Sequence, residues 1–325
     1  MKKILLIRFS SLGDVILISP VIKILAENNF KVYIYTKENY ASVFKNNPYV
    51  EEVLVLKKGD SVFNIVKKIR SNGFYRIIDL HKNLRTFIVK IFFPFKSITY
   101  KKYRFRRWLL IRFKINLLKN NSVILNYFSA IKKLNIKYSN LEEGYKIYYN
   151  KITDKKIQEI LKEKPVVLAP FSKWFTKEWP YFKELIKKLE GKIVILGSKN
   201  EYKRAESLAT GMDNVYNLCG RLDIAEIGYV FEKGSVFVSN DSGLLHYAAG
   251  TDIPVVAIFG STSRELGFYP VRKNIIILEN KNINCRPCHH HGRKKCPKKH
   301  FKCMRDISVE SVLKHIDLIK TNSKF

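Results

Sequence analysis

Short apolar runs alternate along most of this chain with segments of helical periodicity. Lys3–Phe9 (KILLIRF) reads as a buried strand, and Ser10–Asp14 as the turn that leaves it. Val15–Asn28 carries apolar residues at helical spacing, with a kink or local break expected at Pro20, which lacks a backbone N–H. Strands follow at Lys31–Tyr35, Val53–Leu56 and Arg76–Leu80, with a helix at Val62–Arg70. The rhythm breaks from about Lys137 to Asp154. It then resumes with strands at Val166–Ala169, Ile193–Leu196, Val236–Ser239 and Val255–Phe259. Helices are expected between them at Phe182–Leu189, Glu201–Ala209 and Ser242–Ala249. Strands alternating with helices predict the α/β class, with parallel sheets covered on both faces. The interruption puts a domain boundary near residue 155, giving halves of 1–155 and 156–325, each long enough to bury its own core. Two such halves leave a cleft faced by the carboxyl ends of their strands, where open sheets bind ligands. There is no internal repeat and no low-complexity segment.

Composition changes the picture in one respect. The 46% hydrophobic and 27% charged residues are ordinary for a globular protein. The charge balance is not: 60 Lys+Arg against 28 Asp+Glu leave a formal net charge of +32. Such a field attracts nucleic acid, anionic lipid or phosphorylated substrates; a general drift toward Lys, Ile and Asn would also produce it. Met1–Ser10 is too short an apolar run for a signal peptide. No apolar stretch of about 18 residues exists, so no transmembrane helix is expected. Five cysteines are an odd number for a disulfide framework, and reduced thiols are expected.

Three strand ends carry candidate chemistry. At Asn240–Gly243, Asn240 or Asp241 can cap the next helix, with Ser242 and Gly243 in its first turn. Free N–H groups and the positive end of the helix dipole make an anion site there. Gly243 lets backbone approach a ligand, and His246, one turn on from Ser242, can point at the same anion. The competing reading is an ordinary capped helix. At Ser10–Asp14, the Asp14 carboxylate can take a proton from an attacking hydroxyl, or can simply cap the helix. In Lys173–Pro180 (KWFTKEWP), Lys177 sits among aromatics and can neutralise charge on a leaving diphosphate; a solvated loop lysine is equally compatible.

Two further segments stand out. Phe92–Lys119 crowds Lys101, Lys102, Arg104, Arg106, Arg107, Arg112 and Lys114 among Tyr, Phe and Trp108. That mixture suits an anionic membrane surface or an acidic acceptor, a helix with a solvated basic face, or single-stranded nucleic acid. Cys285, Cys288, Cys296 and Cys303, beside His289, His290, His291 and His300, can hold a structural zinc, stay as thiols or pair as disulfides. Cys219 stands apart and reads as a small buried residue.

Taken together, these segments resemble the heptosyltransferases, glycosyltransferase family 9, of GT-B fold. The carriers are IRFSSLGDVILISPVI near the start, DLHKNLRT at 79–86 and KWFTKEWP at 173–180. NDSGLLHYAAGTDIPVVAIFGSTS at 240–263 and CRPC…CPKKHFKCMRDI at 285–307 complete the set, in family order over nearly the whole chain. The resemblance implies two Rossmann-like domains facing a central cleft. The first, 1–155, would bind the acceptor and the second, 156–325, the nucleotide-sugar, with the last helix able to pack back on the first.

It implies an inverting transfer of heptose from ADP-heptose to the lipopolysaccharide inner core, needing no metal or other cofactor. Asp14 would be the general base. Lys177 would contact the phosphates, Asp241, Ser242, Gly243 and His246 would bind the diphosphate, and Glu201 would contact the nucleoside. The partners implied are a lipid-anchored saccharide and the anionic inner face of the inner membrane, with a cytoplasmic, peripheral location. One departure concerns Pro170-Phe171-Ser172, where the family often has Pro-Gly-Ala; Phe171 would close off backbone approach to the donor. The alternatives are a GT-B transferase or epimerase using another nucleotide-sugar, a silent binding protein on this fold, and a basic nucleic-acid-binding protein. The last lacks a recognisable RNA or DNA module and leaves Asp14 without a role.

Overall fold

The computed structural model describes residues 1–136, 145–270, 272 and 274–322. The opening part of the 137–154 interruption lies outside them. The elements in chain order are β1 (Lys2–Ile7), α1 (Leu12–Ile16), α2 (Ser19–Glu27), β2 (Phe30–Lys37), β3 (Glu52–Leu56), α3 (Val62–Ser71), β4 (Arg76–Asp79), α4 (Leu84–Phe92) and β5 (Ser97–Thr99). Then come α5 (Arg104–Phe113), α6 (Val123–Ile131), α7 (Lys155–Lys162), β6 (Val166–Ala169), α8 (Phe182–Lys188), β7 (Ile193–Ile195), α9 (Tyr202–Ala209) and β8 (Val215–Asn217). The chain closes with α10 (Ile227–Lys233), β9 (Val236–Asn240), α11 (Gly243–Ala248), β10 (Val255–Phe259), β11 (Ile275–Glu279), α12 (Lys302–Arg305) and α13 (Val309–Asn322).

Clustering of contacts divides the chain into two compact units: Met1–Tyr103 with Ser122–Tyr148, and Arg104–Asn121 with Tyr149–Phe325. Each is built on a parallel sheet. The first sheet runs β3-β2-β1-β4-β5 and the second β11-β10-β9-β6-β7-β8. In both, the chain starts on an interior strand, builds outward on one side, then crosses back to build on the other. That reversal falls between β1 and β4 in the first sheet and between β6 and β9 in the second. It opens a crevice at the carboxyl ends of those strands, because the connecting segments leave in opposite directions.

The interior strands are apolar without alternation because both of their faces are covered. Ile4, Leu5, Leu6 and Ile7 of β1 and Val255–Phe259 of β10 are fully buried, each large side chain contributing about 1.5–3 kcal/mol. Several helices start on polar caps. Ser61 accepts from the Asn64 N–H (3.2 Å), Asn83 and Thr86 cap each other reciprocally (3.0 Å each way), and Asp154 accepts from the Lys156 and Ile157 N–H groups.

The local break expected within Val15–Asn28 is present: the segment folds as two helices, α1 and α2. The break lies ahead of Pro20, which occupies the first turn of α2, where a missing N–H leaves no bond unmade. Within the second unit, α13 packs on α8, β9 and β10. The basic segment is divided. From Arg104 onward it groups with the second unit, where Arg107 donates to the Leu266 carbonyl (3.2 Å) and Lys114 to those of Cys285 (3.1 Å) and Pro287 (2.7 Å).

Candidate active site

The reversal point of the first sheet gathers a charged cluster. Ile7 of β1 pairs with Asp79 of β4, so Arg8 and Leu80 emerge side by side, and the Arg8 guanidinium donates to the Leu80 carbonyl. Its other arm meets Asp14 Oδ2 at 2.7 Å. Asp14 lies in the first turn of α1, and the same Oδ2 accepts from the Ser11 hydroxyl (3.0 Å) and, more weakly, the Ser11 N–H (3.4 Å). The capping role and the pairing role of Asp14 are thus both present. Oδ1 takes a longer contact of 3.4 Å from the Tyr127 hydroxyl. Burial pushes the Tyr127 phenol well above its ordinary range, so it keeps the proton it donates. Burial disfavours the Arg8 charge, but Tyr127, Asp14 and Tyr100 outweigh that and raise its pKa. Arg8 was not among the expected site residues; its signal is a lone cation at the end of an apolar strand.

His81 stands beside this cluster, its ring against Phe9. Asp79 is buried and accepts from the His81 (2.9 Å) and Lys82 (2.8 Å) N–H groups, fixing the turn after β4. Burial first, then the charges of Arg8 and Lys102, lower the His81 pKa from 6.5 to about 4. Between those values the unfolded chain takes up a proton that the folded one refuses. The contribution of this ring to stability is therefore complete above pH 6.5 and is lost as the pH falls toward 4. His81→Gln is expected to flatten that loss in urea midpoints measured across the window. Parallel curves for wild type and variant would remove His81 as its source.

The reversal point of the second sheet brings together Lys177, after β6, and Asp241, after β9. Ala169 pairs with Ser239, so the two loops leave from adjacent strand ends. Lys177 Nζ meets Asp241 Oδ2 at 2.6 Å, and the Thr262 hydroxyl donates to the same oxygen at 2.7 Å. Burial alone would raise the Asp241 pKa; Lys177, Thr262 and His246 together bring it below the ordinary carboxylate value. Asp241 thus holds Lys177 and cannot itself contact an anion without like-charge repulsion.

The expected cap is corrected here. Asn240 belongs to β9 and is fully buried, its amide accepting from the Trp179 N–H (3.0 Å) and donating to the Pro170 carbonyl (2.8 Å). It ties the Lys177 loop to the sheet. Ser242 is the N-cap of α11, accepting from the Leu245 N–H at 3.4 Å, and Gly243 is the first helical residue. His246 is buried, its ring near Phe268.

Glu201 lies at the C-terminal side of β7, where Oε2 accepts from the Ser198 N–H (2.6 Å) and hydroxyl (2.8 Å). Phe171 turns into the core, with the Arg204 guanidinium over its ring at 4.5 Å. Arg204 is paired with Glu178, and Glu178 accepts from the Ser172 N–H (2.8 Å), so this loop is held by side chains.

The cysteine segment braces the Lys177 loop. Thr176 exchanges backbone bonds with Arg293 and Ser261, and its hydroxyl accepts from the Arg293 N–H at 2.7 Å. Gly292 has φ 101°, and a Cβ there would stand 2.7 Å from Trp174 Cβ and 3.1 Å from Lys177 Cγ. Arg286 pairs with Glu279 (2.8 Å) and donates to the Thr262 carbonyl (2.7 Å), fixing the residue that holds Asp241. Cys285, Cys288, Cys296 and Cys303 line one cavity of about 20 Å³ with Thr176, Ser261 and His300. All five cysteines are free thiols, and burial raises the Cys288 pKa and lifts that of Cys303 to about 12. Among the described residues, no three or more His, Cys, Asp or Glu side chains are set to hold a metal ion.

Residues 62–300 match the sequence profile of Glycosyltransferase family 9 (heptosyltransferase). The chain is 23% identical to lipopolysaccharide heptosyltransferase 1 of Campylobacter coli, over 96% of this chain and 97% of that one. Among solved structures it is similar to the glycosyl transferase family 9 protein from Veillonella parvula (TM-score 0.78, 19% identity, covering 99% and 98% of the two chains). It is also similar to E. coli ADP-heptose lps heptosyltransferase II (TM-score 0.77, 15% identity, covering 100% of each chain). The two parallel-sheet α/β units are those of the GT-B fold.

Proposed function

The chain belongs to glycosyltransferase family 9, the heptosyltransferases, and from that premise we propose that it moves heptose from ADP-heptose, with inversion, onto the inner core of a lipid A-linked saccharide. The observation that carries the reading is the chemistry at the two sheet-reversal points: Asp14 on Arg8 in the first unit, Lys177 on Asp241 in the second.

The first unit receives the acceptor. Asp14 deprotonates its hydroxyl, and Arg8 and Ser11 hold Oδ2 while Oδ1 takes the proton. The oxygen attacks the anomeric carbon from the face opposite the diphosphate. The second unit holds the donor. Lys177 and the N–H groups at Ser242 and Gly243 stabilise charge on the leaving diphosphate, with His246 one turn behind them. Asp241 acts by positioning Lys177 rather than by touching the phosphates. Glu201 uses its second oxygen on the nucleoside. Stabilisation of the leaving diphosphate by Lys177 and the α11 N–H groups lets transfer proceed without a metal. The lipid anchor of the acceptor puts the work at the anionic cytoplasmic face of the inner membrane. Among the described residues, no helix is long and apolar enough to cross a membrane.

The test is incubation with ADP-heptose and a panel of truncated lipopolysaccharides, read by mass spectrometry. One acceptor is expected to gain a single heptose, with the anomeric configuration opposite to the donor's by NMR and a rate unchanged after chelation. Transfer from a different nucleotide-sugar, with none from ADP-heptose, would overturn the donor assignment.

A further inference from the structure

We propose that the outward face of α4, in the first unit, is the surface by which this protein docks on an anionic lipid bilayer. The inference rests on the membrane reading above and names a surface for it. At about 100° per residue, α4 and the residue after it carry two apolar stripes on opposite sides. Thr86, Val89 and Phe93 face the core. Leu84, Phe87 and Ile91 face away from it and are 75%, 57% and 60% exposed. A helix apolar on both sides is ordinarily covered on both.

Large exposed apolar residues also lie beside this stripe in sequence and on α3. Phe95 is 93% exposed, and Phe63 of α3, also exposed, lies edge-on to Phe92 with ring centroids 6.2 Å apart. Scattered exposed apolar residues are common on any surface, but a contiguous set of large ones marks a binding face.

Charge selects the occupant. Arg85 and Lys90 project from α4 on opposite sides of the stripe, and Lys96 follows Phe95. From Leu80 through Leu141 the sequence contains no aspartate or glutamate. Sinking the stripe into the acyl boundary brings cations on both flanks to headgroup level, where their aliphatic stems lie along apolar surface and their charges reach lipid phosphates. A second copy of this chain, at net charge +32, would bring the same positive field against itself. The exposed aromatics of α5 belong to the second unit, where Arg107 and Lys114 already bond carbonyls of that unit.

The experiment is vesicle sedimentation with the full chain, on phosphatidylglycerol–phosphatidylethanolamine and on phosphatidylcholine vesicles, in low and high salt. Wild type is expected to bind the anionic vesicles and to release in high salt. The variant Phe87→Ser/Ile91→Ser/Phe95→Ser is expected to partition at least about tenfold less, with circular dichroism and turnover on a delipidated acceptor unchanged. Arg85→Gln/Lys90→Gln is expected to weaken binding and flatten its salt dependence, whereas Phe105→Ser/Trp108→Ser on α5 is expected to bind as wild type. Wild type that ignores anionic vesicles would overturn the membrane reading and this surface with it. Wild type that binds, with the α4 triple variant equal to it, would overturn this surface alone. A triple variant that changes oligomeric state by light scattering but keeps its vesicle binding would assign α4 to a contact between copies.

Discussion

Asp14→Asn is expected to lower the turnover number by about 10²–10⁴-fold, the usual worth of a positioned general base, while ADP affinity stays near wild type. The amide keeps the shape of the carboxylate and its contacts with Ser11, but it cannot take a proton. It also leaves Arg8, which is buried, without its counter-charge. Breaking a buried pair from one side costs about 3–5 kcal/mol, so the variant is expected to melt earlier. Turnover is therefore to be compared where circular dichroism shows both proteins folded. ADP release measures the rate, and calorimetric titration with ADP measures affinity. Wild-type turnover in the folded variant would remove Asp14 as the base. Lost ADP affinity with normal turnover at saturating donor would move it to the donor side.

Lys177→Met is expected to abolish measurable ADP binding and to destabilise the second unit by about 3–5 kcal/mol near neutral pH, because Asp241 is left buried without its counter-charge. The sign of its pH dependence is specific. In wild type, burial would raise the Asp241 pKa, but Lys177 and Thr262 bring it below the ordinary 3.8. That contribution is present above 3.8 and is lost as the pH falls through the depressed value. In the variant, burial acts with one partner fewer, and protonation relieves it at higher pH. The stability gap between the proteins is therefore expected to narrow as the solution is acidified. Urea midpoints over a pH series measure it, and a gap that widens would refute the pairing as its origin. Lys177→Met combined with Asp241→Leu separates the two roles of the lysine: stability is expected to recover in part while ADP binding does not. ADP binding at wild-type strength in Lys177→Met would remove the lysine from the donor site.

Much of this was legible along the chain, for a reason that differs from residue to residue. Asp14, Lys177 and Asp241 could be picked out because each follows an apolar strand, and apolar strands are read from local pattern alone. The partners of these residues were not legible. Arg8 stands one residue beyond β1, and what makes it a site residue is the register of β1 against β4, separated by about seventy positions. Thr262, Arg286 and Gly292 act on Asp241 and Lys177 from other strands and loops. The position of the cap before α11 was not legible for a related reason. Asn240, Asp241 and Ser242 are all good caps by type, and the choice fell to Ser242 because sheet and loop contacts engage the other two.

The two faces of α4 divide in the same way. Its periodicity shows that it is apolar on both sides, but only packing decides which side meets the core. By itself the sequence determined the α/β class, the strand-to-helix junctions and the residue types standing at them, because periodicity, turn chemistry and capping act over a few residues. The tertiary structure alone decided strand order, and with it which junctions became neighbours. Strand order settles which charges lie within about 3 Å of one another in a desolvated site, where Coulomb energies are large enough to set protonation and position.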